Sequence, residues 1–314
     1  MSEKDIHRYS TSRITTFKQC PRKHHYIYVE QVEQPEGNIY TTSGKLWHKA
    51  MDNYGKGLDI QPVIDEWKKL CLSGKLDCDP DLLEYVLKEY FNYYKKDLSM
   101  ESVIETEYEF KDELEDDDYL VGSIDKIYTS LGYNYIKDYK TTFNPLKYTT
   151  EDVQTNQQLL LYLTEAEAKL EIKIDAIEID EIRLAKLQPV PVRANGKPST
   201  DKKQLSLVTY EAYYDALESQ GLENEKEYQP VLEYLQQRGH PLFNRIICQI
   251  LDRSVISTNA TDILEAYHSA KTDPTYKVHG PLCKFCDFKE LCDLDAYNPD
   301  DMSREMIKEK IKNS

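Results

Sequence analysis

Apolar positions change their period twice along the chain. From Ser10 the spacing is helical: Ser10, Thr11 and Ser12 offer capping hydroxyls ahead of ITTFKQC, Cys20-Pro21 interrupts, and YIYVE at 26–30 resumes the apolar run. Leu46, Trp47, Ala50 and Met51 mark a helix over 44–71, and DLLEYVLKEYFNYYKK at 81–96 repeats apolar residues every three or four positions. The period then shortens. SVIETEYEF, YLVGSIDKIYTS and YNYIKDYKTT are β-branched and aromatic, divided by DELEDDD and SLGYN, which predicts an antiparallel meander. A helix over 151–168 and a strand at IDAIEIDEIRL follow. Residues 187–203, LQPVPVRANGKPSTDKK, predict an exposed loop before a strand at LSLVTY, and 211–269 reads as helical. With no internal repeat and no dividing linker, this order predicts one α/β domain over 1–314, a mixed central sheet flanked by helices.

Composition narrows the class. With 314 residues, 40% apolar and 31% charged, the chain has material for a core. No apolar run is long enough to span a membrane, and MSEKDIHRYS lacks the apolar region of a secretory signal. A cytoplasmic location is therefore expected, where clustered cysteines ligate metals more often than they form disulfides. There are seven cysteines, and Cys283, Cys286 and Cys292 are spaced C-x2-C-x5-C in PLCKFCDFKELC. Three thiols are one short of a tetrahedral site, and spacing alone permits zinc.

A net charge of −16 disfavours nucleic-acid binding by the chain as a whole, but the cations are unevenly spread. Arg13, Lys18, Arg22, Lys23, His24 and His25 fall in 13–25 without an acid, and Lys186, Arg193, Lys197, Lys202 and Lys203 fall in 186–203 against Asp201 alone. By themselves these read as two solvated basic loops.

The meander carries the candidate chemistry. Asp138 and Lys140 lie two apart on a strand and so share a face, and Asp125, after Gly122, can reach the same point from the neighbouring strand. Converging carboxylates favour a hard cation such as Mg²⁺ or Mn²⁺, and an ammonium beside them can orient water and offset charge on a phosphate. D-x-K on a strand is common surface decoration. So is a lone helical histidine such as His48 in GKLWH, or the i, i+4 pair Gln158 and Tyr162 in QLLLY.

Taken in order, CP at 20–21, G-x-x-x-H at 44–48, G-x-x-D at 122–125, D-x-K at 138–140, Q-x-x-x-Y at 158–162 and C-x2-C-x5-C at 283–292 resemble the RecB-type branch of the PD-(D/E)XK nucleases. They are similar in particular to its iron–sulfur members, the AddB C-terminal nuclease and the stand-alone CRISPR-associated and phage exonucleases. The resemblance implies a restriction-endonuclease-like core with its termini joined by a 4Fe–4S cluster on Cys20, Cys283, Cys286 and Cys292, in a C-terminal segment at 280–295. It implies Mg²⁺ or Mn²⁺ held by His48, Asp125, Asp138 and the carbonyl of Tyr139, with Lys140 catalytic and Gln158 and Tyr162 positioning DNA. The family often has Glu where this chain has Asp138. Arg193, Lys197, Lys202 and Lys203 are candidates for DNA-backbone contact.

The implied activity is a metal-dependent DNA exonuclease acting on single strands or ends, in recombination, repair, phage or CRISPR-associated processing. The chain has no GxxxxGK(S/T) loop, so a helicase motor would come from a partner, as would other recombination or CRISPR proteins. Two other readings stand beside it: a DNA-end-binding adaptor with a vestigial site, and a zinc-structured protein without enzymatic activity. The complete set of site residues weighs against the adaptor.

Overall fold

The computed structural model describes residues 7–33, 38–250, 253–272, 276–295 and 301–312. The predicted meander forms β2 (Glu101–Glu113), β3 (Tyr119–Ser130) and β4 (Tyr133–Thr142), after a two-residue β1 (Arg8–Tyr9). β5 (Ala176–Arg183) lies parallel to β4, reached through helix Gln157–Leu170, and β6 (Phe243–Gln249) closes the sheet antiparallel to β5. The result is a six-stranded mixed sheet, with β2 on the other flank of β3 and β1 parallel to the start of β3.

Two irregularities shape the centre of this sheet. β3 and β4 pair from Ser130↔Tyr133 to Lys126↔Lys137 and then part. On the other side of β3, the register passes through Thr106↔Lys126 and Tyr108↔Ile124, leaving Glu107 and Asp125 between them. Alternation slips there. Ile124 and Ile127 pack with Ile136, Ile177, Ile179 and helix Gln157–Leu170, whereas Lys126 and Tyr128 join charged partners on the opposite face.

That opposite face is covered by helices Ile39–Gly55, Gln61–Leu72 and Leu82–Tyr93, whose Trp47, Trp67, Leu83, Val86 and Tyr90 pack with Tyr139, Ile182 and Phe243. Beneath them lies a buried charge network. Lys137 reaches Glu178 (2.9 Å) and Glu101 (3.2 Å), Lys126 pairs with Glu101, and Arg245 reaches Glu178 (3.1 Å) and Asp180 (3.0 Å). Tyr90 donates to Asp180 at 2.5 Å and Tyr128 donates to Glu178. Three cations therefore face three carboxylates, so the face is neutral although every charge on it is desolvated.

Several expected elements differ. The helix expected over 44–71 is two, Ile39–Gly55 and Gln61–Leu72, because Gly57 turns the chain at φ 67° and Pro62 opens the second. Likewise 81–96 divides into Leu82–Tyr93 and Lys95–Met100, and 151–168 into Thr150–Gln154 and Gln157–Leu170. LSLVTY is not a strand. Its Leu205 and Val208 are turned inward under helices Tyr210–Glu218 and Gln229–Arg238, and an alternating pattern fits such a turn as well as a strand. The stretch 211–269 contains β6, FNRIICQ, a short strand whose mixed apolar and polar residues fit either period. The loop 187–203 is less exposed than expected: Val192 bridges Pro198, and Pro198 and Ser199 are buried.

Removing one member of a buried ion network leaves the others desolvated without compensation. Lys137→Met is expected to destabilise the protein by about 3–5 kcal/mol, read from urea denaturation. A variant as stable as the parent would show that Lys137 contributes no net stabilisation.

Candidate active site

Helix Ile39–Gly55 brings His48 to the opening in the sheet. Asn38 caps it, accepting from the backbone N–H of Tyr40 (3.0 Å) and Thr41 (3.1 Å). Its two glycines seat it against β4 and β2. A Cβ on Gly44 would stand 3.4 Å from Thr141 Oγ1 of β4, and one on Gly55 would stand 2.5 Å from Thr106 Cγ2 of β2. Thr106 also donates to Asp52 at 2.5 Å, fixing the rotation of the helix beside Glu107.

The parting of β3 and β4 leaves the Tyr139 N–H without a strand partner, and Asp125 Oδ2 accepts it at 2.7 Å. The other oxygen, Asp125 Oδ1, lies 3.2 Å from His48 Nδ1, with Glu107 Oε1 at 3.7 Å from the same nitrogen. The opposite ring nitrogen, Nε2, donates to the Tyr139 carbonyl at 3.1 Å. Burial opposes charge on His48, but Asp125 and Glu107 outweigh it and lift its pKa to about 10. The ring is therefore doubly protonated here, and taking a metal at Nδ1 would release a proton. The Tyr139 carbonyl, expected as a metal ligand, is the anchor of this imidazole.

Asp138 and Lys140 share the other face of β4, as their spacing predicts. Lys140 Nζ donates to Asp138 Oδ1 at 2.9 Å and lies 2.7 Å from Oδ2, an oxygen that has no hydrogen bond of its own. Burial raises the Asp138 pKa to about 6, with Lys140 opposing the rise and Asp125 adding to it. Burial likewise works against charge on Lys140, but Asp138 more than restores it and leaves its pKa raised. Helix Gln157–Leu170 covers this face. Asn156 caps it by accepting from Gln158 N–H at 3.0 Å, and Gln158 Nε2 donates to the Tyr162 hydroxyl at 2.6 Å. Gly122 makes room for them: a Cβ there would lie 2.4 Å from Phe110 Cζ and 3.0 Å from Tyr162 Cε1.

His48, Glu107 and Asp125 each offer a ligand atom, all within 4.8 Å of one another, and Asp138 lies beside them. Glu107 does not stand out in the sequence. Glu105 and Glu109 flank it in a strand of repeated glutamates, and the register across β2 and β3 is what sets it opposite Asp125. Its backbone does distinguish it: φ is 46°, left-handed for a non-glycine residue, a conformation that costs of order 1–3 kcal/mol and concentrates at functional sites.

The basic segments are largely engaged. Arg13 is buried, donating to His24 Nε2 (3.2 Å) and the Arg8 carbonyl (3.1 Å). Arg193 pairs with Glu227 and donates to the Tyr228 hydroxyl at 2.5 Å, and Lys186 pairs with Asp79 at 2.6 Å. Lys197, Lys202 and Lys203 are exposed.

Cys20, Cys283, Cys286 and Cys292 line one cavity of about 150 Å³, with Arg22, Lys23 and Tyr26. No disulfide links them. Among the described residues, their Sγ atoms do not form a group within 4.8 Å. Four thiolates on one zinc would stand about 3.8 Å apart at Zn–S bonds of about 2.3 Å. The chain ends meet here: Tyr26 donates to Asp295 at 2.6 Å, and the Arg22 N–H donates to the Tyr276 carbonyl at 3.2 Å.

Asp125 on β3 and Asp138 with Lys140 on β4 fall on adjacent strands, as the G-x-x-D and D-x-K motifs led one to expect. The chain matches the PD-(D/E)XK nuclease superfamily over residues 8–293 and belongs to it. A search among curated proteins finds no match. Nucleases of this superfamily use divalent metals, and DNA is the substrate that a nuclease domain implies. Among the described residues, no helix is long and apolar enough to cross a membrane.

If the three-ligand group holds a cation, Asp125→Asn and Glu107→Gln should each raise the Kd for Mn²⁺ in titration calorimetry by at least about tenfold, the lower end of the effect of losing an outer-shell partner. The exposed neighbour Glu105→Gln should bind as the parent does. Parent-like affinity in Glu107→Gln would remove Glu107 from the ligand set.

Proposed function

We propose that this chain, a single nuclease domain over 1–314, is a Mg²⁺- or Mn²⁺-dependent deoxyribonuclease that removes nucleotides from single strands or DNA ends. The observation that carries the reading is the group of ligand atoms on His48, Glu107 and Asp125, all within 4.8 Å of one another, beside the Asp138–Lys140 pair of β4. His48, Glu107 and Asp125 would hold the cation, with Asp138 as a further carboxylate from the neighbouring strand, an oxygen-rich set with one imidazole that suits a hard metal. Asp138 Oδ2 lies 2.7 Å from the Lys140 ammonium, so a cation there would share the carboxylate with Lys140. Bound there, the ion lowers the pKa of water and neutralises charge on the scissile phosphate.

The chain's own groups do the rest. Asp125, fixed by the Tyr139 N–H, keeps one oxygen turned to the centre. Lys140 keeps its proton, so Nζ can orient the attacking water and donate to the phosphate as negative charge develops. Gln158 and Tyr162, bonded to each other over this face, position the strand. A helicase or a recombination or CRISPR-associated protein would deliver DNA, with the protein working in the cytoplasm.

The test is cleavage of end-labelled single-stranded DNA with Mg²⁺ or Mn²⁺. The parent should degrade it, while Lys140→Ala should lose turnover and retain DNA and metal binding. A parent that binds ends without cutting them would favour the adaptor reading, and wild-type cleavage by Lys140→Ala would refute the assignment.

The four cysteines are proposed to hold a 4Fe–4S cluster, a reading that rests on the order of the cysteine motifs and on the one cavity that all four line, although their Sγ atoms do not form a close group among the described residues. The cluster would supply a crosslink between the ends of the chain. Iron and sulfide analysis should find the cluster in the parent, and Cys20→Ala should be colourless and melt lower. Zinc in place of iron would favour the non-enzymatic reading.

A further inference from the structure

A cationic cleft of about 470 Å³ lies at the end of β5, lined by Arg183, Lys202, Lys203, Arg238, His240 and Asn244 among others. Among the described residues, no carboxylate lines it. The protein as a whole carries a net charge of −16, so the cleft stands against its surroundings. Among the described residues none of these four cations is in an ion pair. Arg183 has only a 3.4 Å contact with the Ser206 carbonyl, and its Nε is buried without a hydrogen bond. Arg238 donates to the carbonyls of Leu205 (2.7 Å) and Val208, and its Nε is likewise unbonded. Lys202 lies over the Tyr234 ring at 4.9 Å. Burial and the nearness of Arg238 both disfavour charge on Arg183, so the pair repel each other with nothing between them. Burial and Arg238 keep His240 neutral, its pKa near 4.

The cleft adjoins the candidate active site through the sheet register. Lys140 pairs with Glu181 and Thr142 with Arg183, so Arg183 stands one strand over and two residues beyond Lys140 on the same face. That is about 7 Å along the strand direction. Glu181 lies between, but its carboxylate is buried and taken by the N–H groups of Lys147 and Tyr148 and by Asn244. The 145–148 segment thus spans from the cleft, at Pro145 and Leu146, to Tyr148, which lies near enough to Lys140 to sense its charge.

We propose that this cleft is a phosphate subsite, in which Arg183, Arg238, Lys202 and Lys203 grip the DNA backbone a few nucleotides from the scissile bond. It rests on the nuclease reading and extends it: the basic residues near 202 act together with two arginines remote in sequence. Cations with no carboxylate beside them are what a phosphate oxygen satisfies, and a guanidinium can do so with two N–H groups at once.

The test compares Arg183→Gln with Lys202→Ala/Lys203→Ala, the latter on exposed side chains that carry little fold stability. Binding of a single-stranded oligonucleotide is measured against salt in a Lys140→Ala background, and hydrolysis of bis-p-nitrophenyl phosphate in an otherwise unaltered one. Each variant should bind more weakly at low salt, with a log–log salt slope shallower by about 0.7 for every phosphate that the variant no longer neutralises, and Arg183→Lys should recover part of it. Hydrolysis of the small diester, which has no neighbouring phosphate, should be unchanged. Parent-like affinity and slope in both variants would overturn the subsite, whether or not the parent cleaves. Failure of the parent to hydrolyse either substrate would sink the nuclease reading and leave the binding result standing.

Discussion

The hydrogen bond from the Tyr139 N–H to Asp125 is the constraint on which the site depends. Were β3 and β4 paired along their whole length, that N–H would be spent on the ladder and the space beside it filled by a strand. Because they part beyond Lys126↔Lys137, the backbone donor has to be satisfied by a side chain, and Asp125 is the one in reach. The bond holds the carboxylate at the mouth of the gap. On either side of Tyr139 in β4 stand Asp138 and Lys140, paired with each other.

The charge network on the reverse of the sheet complements this opening. A sheet that opens at its middle needs support elsewhere, and Lys126, Lys137 and Arg245 bind β2, β3, β4, β5 and β6 through Glu101, Glu178 and Asp180. Such networks add little net stability against an apolar core, but each member specifies one partner and so one register. Lys137 and Asp138 are adjacent in sequence and serve opposite faces, one in the network and one in the site. The left-handed backbone at Glu107 lies where the alternation slips. That slip lets β3 present isoleucines to one face and a lysine and tyrosine to the other.

Much of this was legible in the residues. The meander follows from β-branched and aromatic runs divided by acidic and glycine-containing turns. The side-by-side placement of Asp138 and Lys140 follows from the two-residue period of a strand, and the Gln158–Tyr162 bond from the i, i+4 spacing of a helix. These are short-range consequences of backbone geometry, so the sequence carries them directly. The position of β6 and the turn at LSLVTY were not legible, because a short segment of mixed apolar and polar residues has the same pattern whether it joins a sheet or packs under local helices.

What remained hidden depends on contacts between residues far apart in the chain. Glu107 looks like any other glutamate of β2 until the register sets it beside Asp125 and His48. The cationic cleft joins Arg183, Lys202 and Arg238, which no spacing rule connects, and Arg193 of the same basic stretch is paired with Glu227. The sequence alone determined which chemistry is available: carboxylates, an ammonium and an imidazole in family order, with cysteines near both ends. The tertiary structure decided which of those groups meet. Pairing, strand divergence and burial act across tens to hundreds of residues, and local sequence has no term for them.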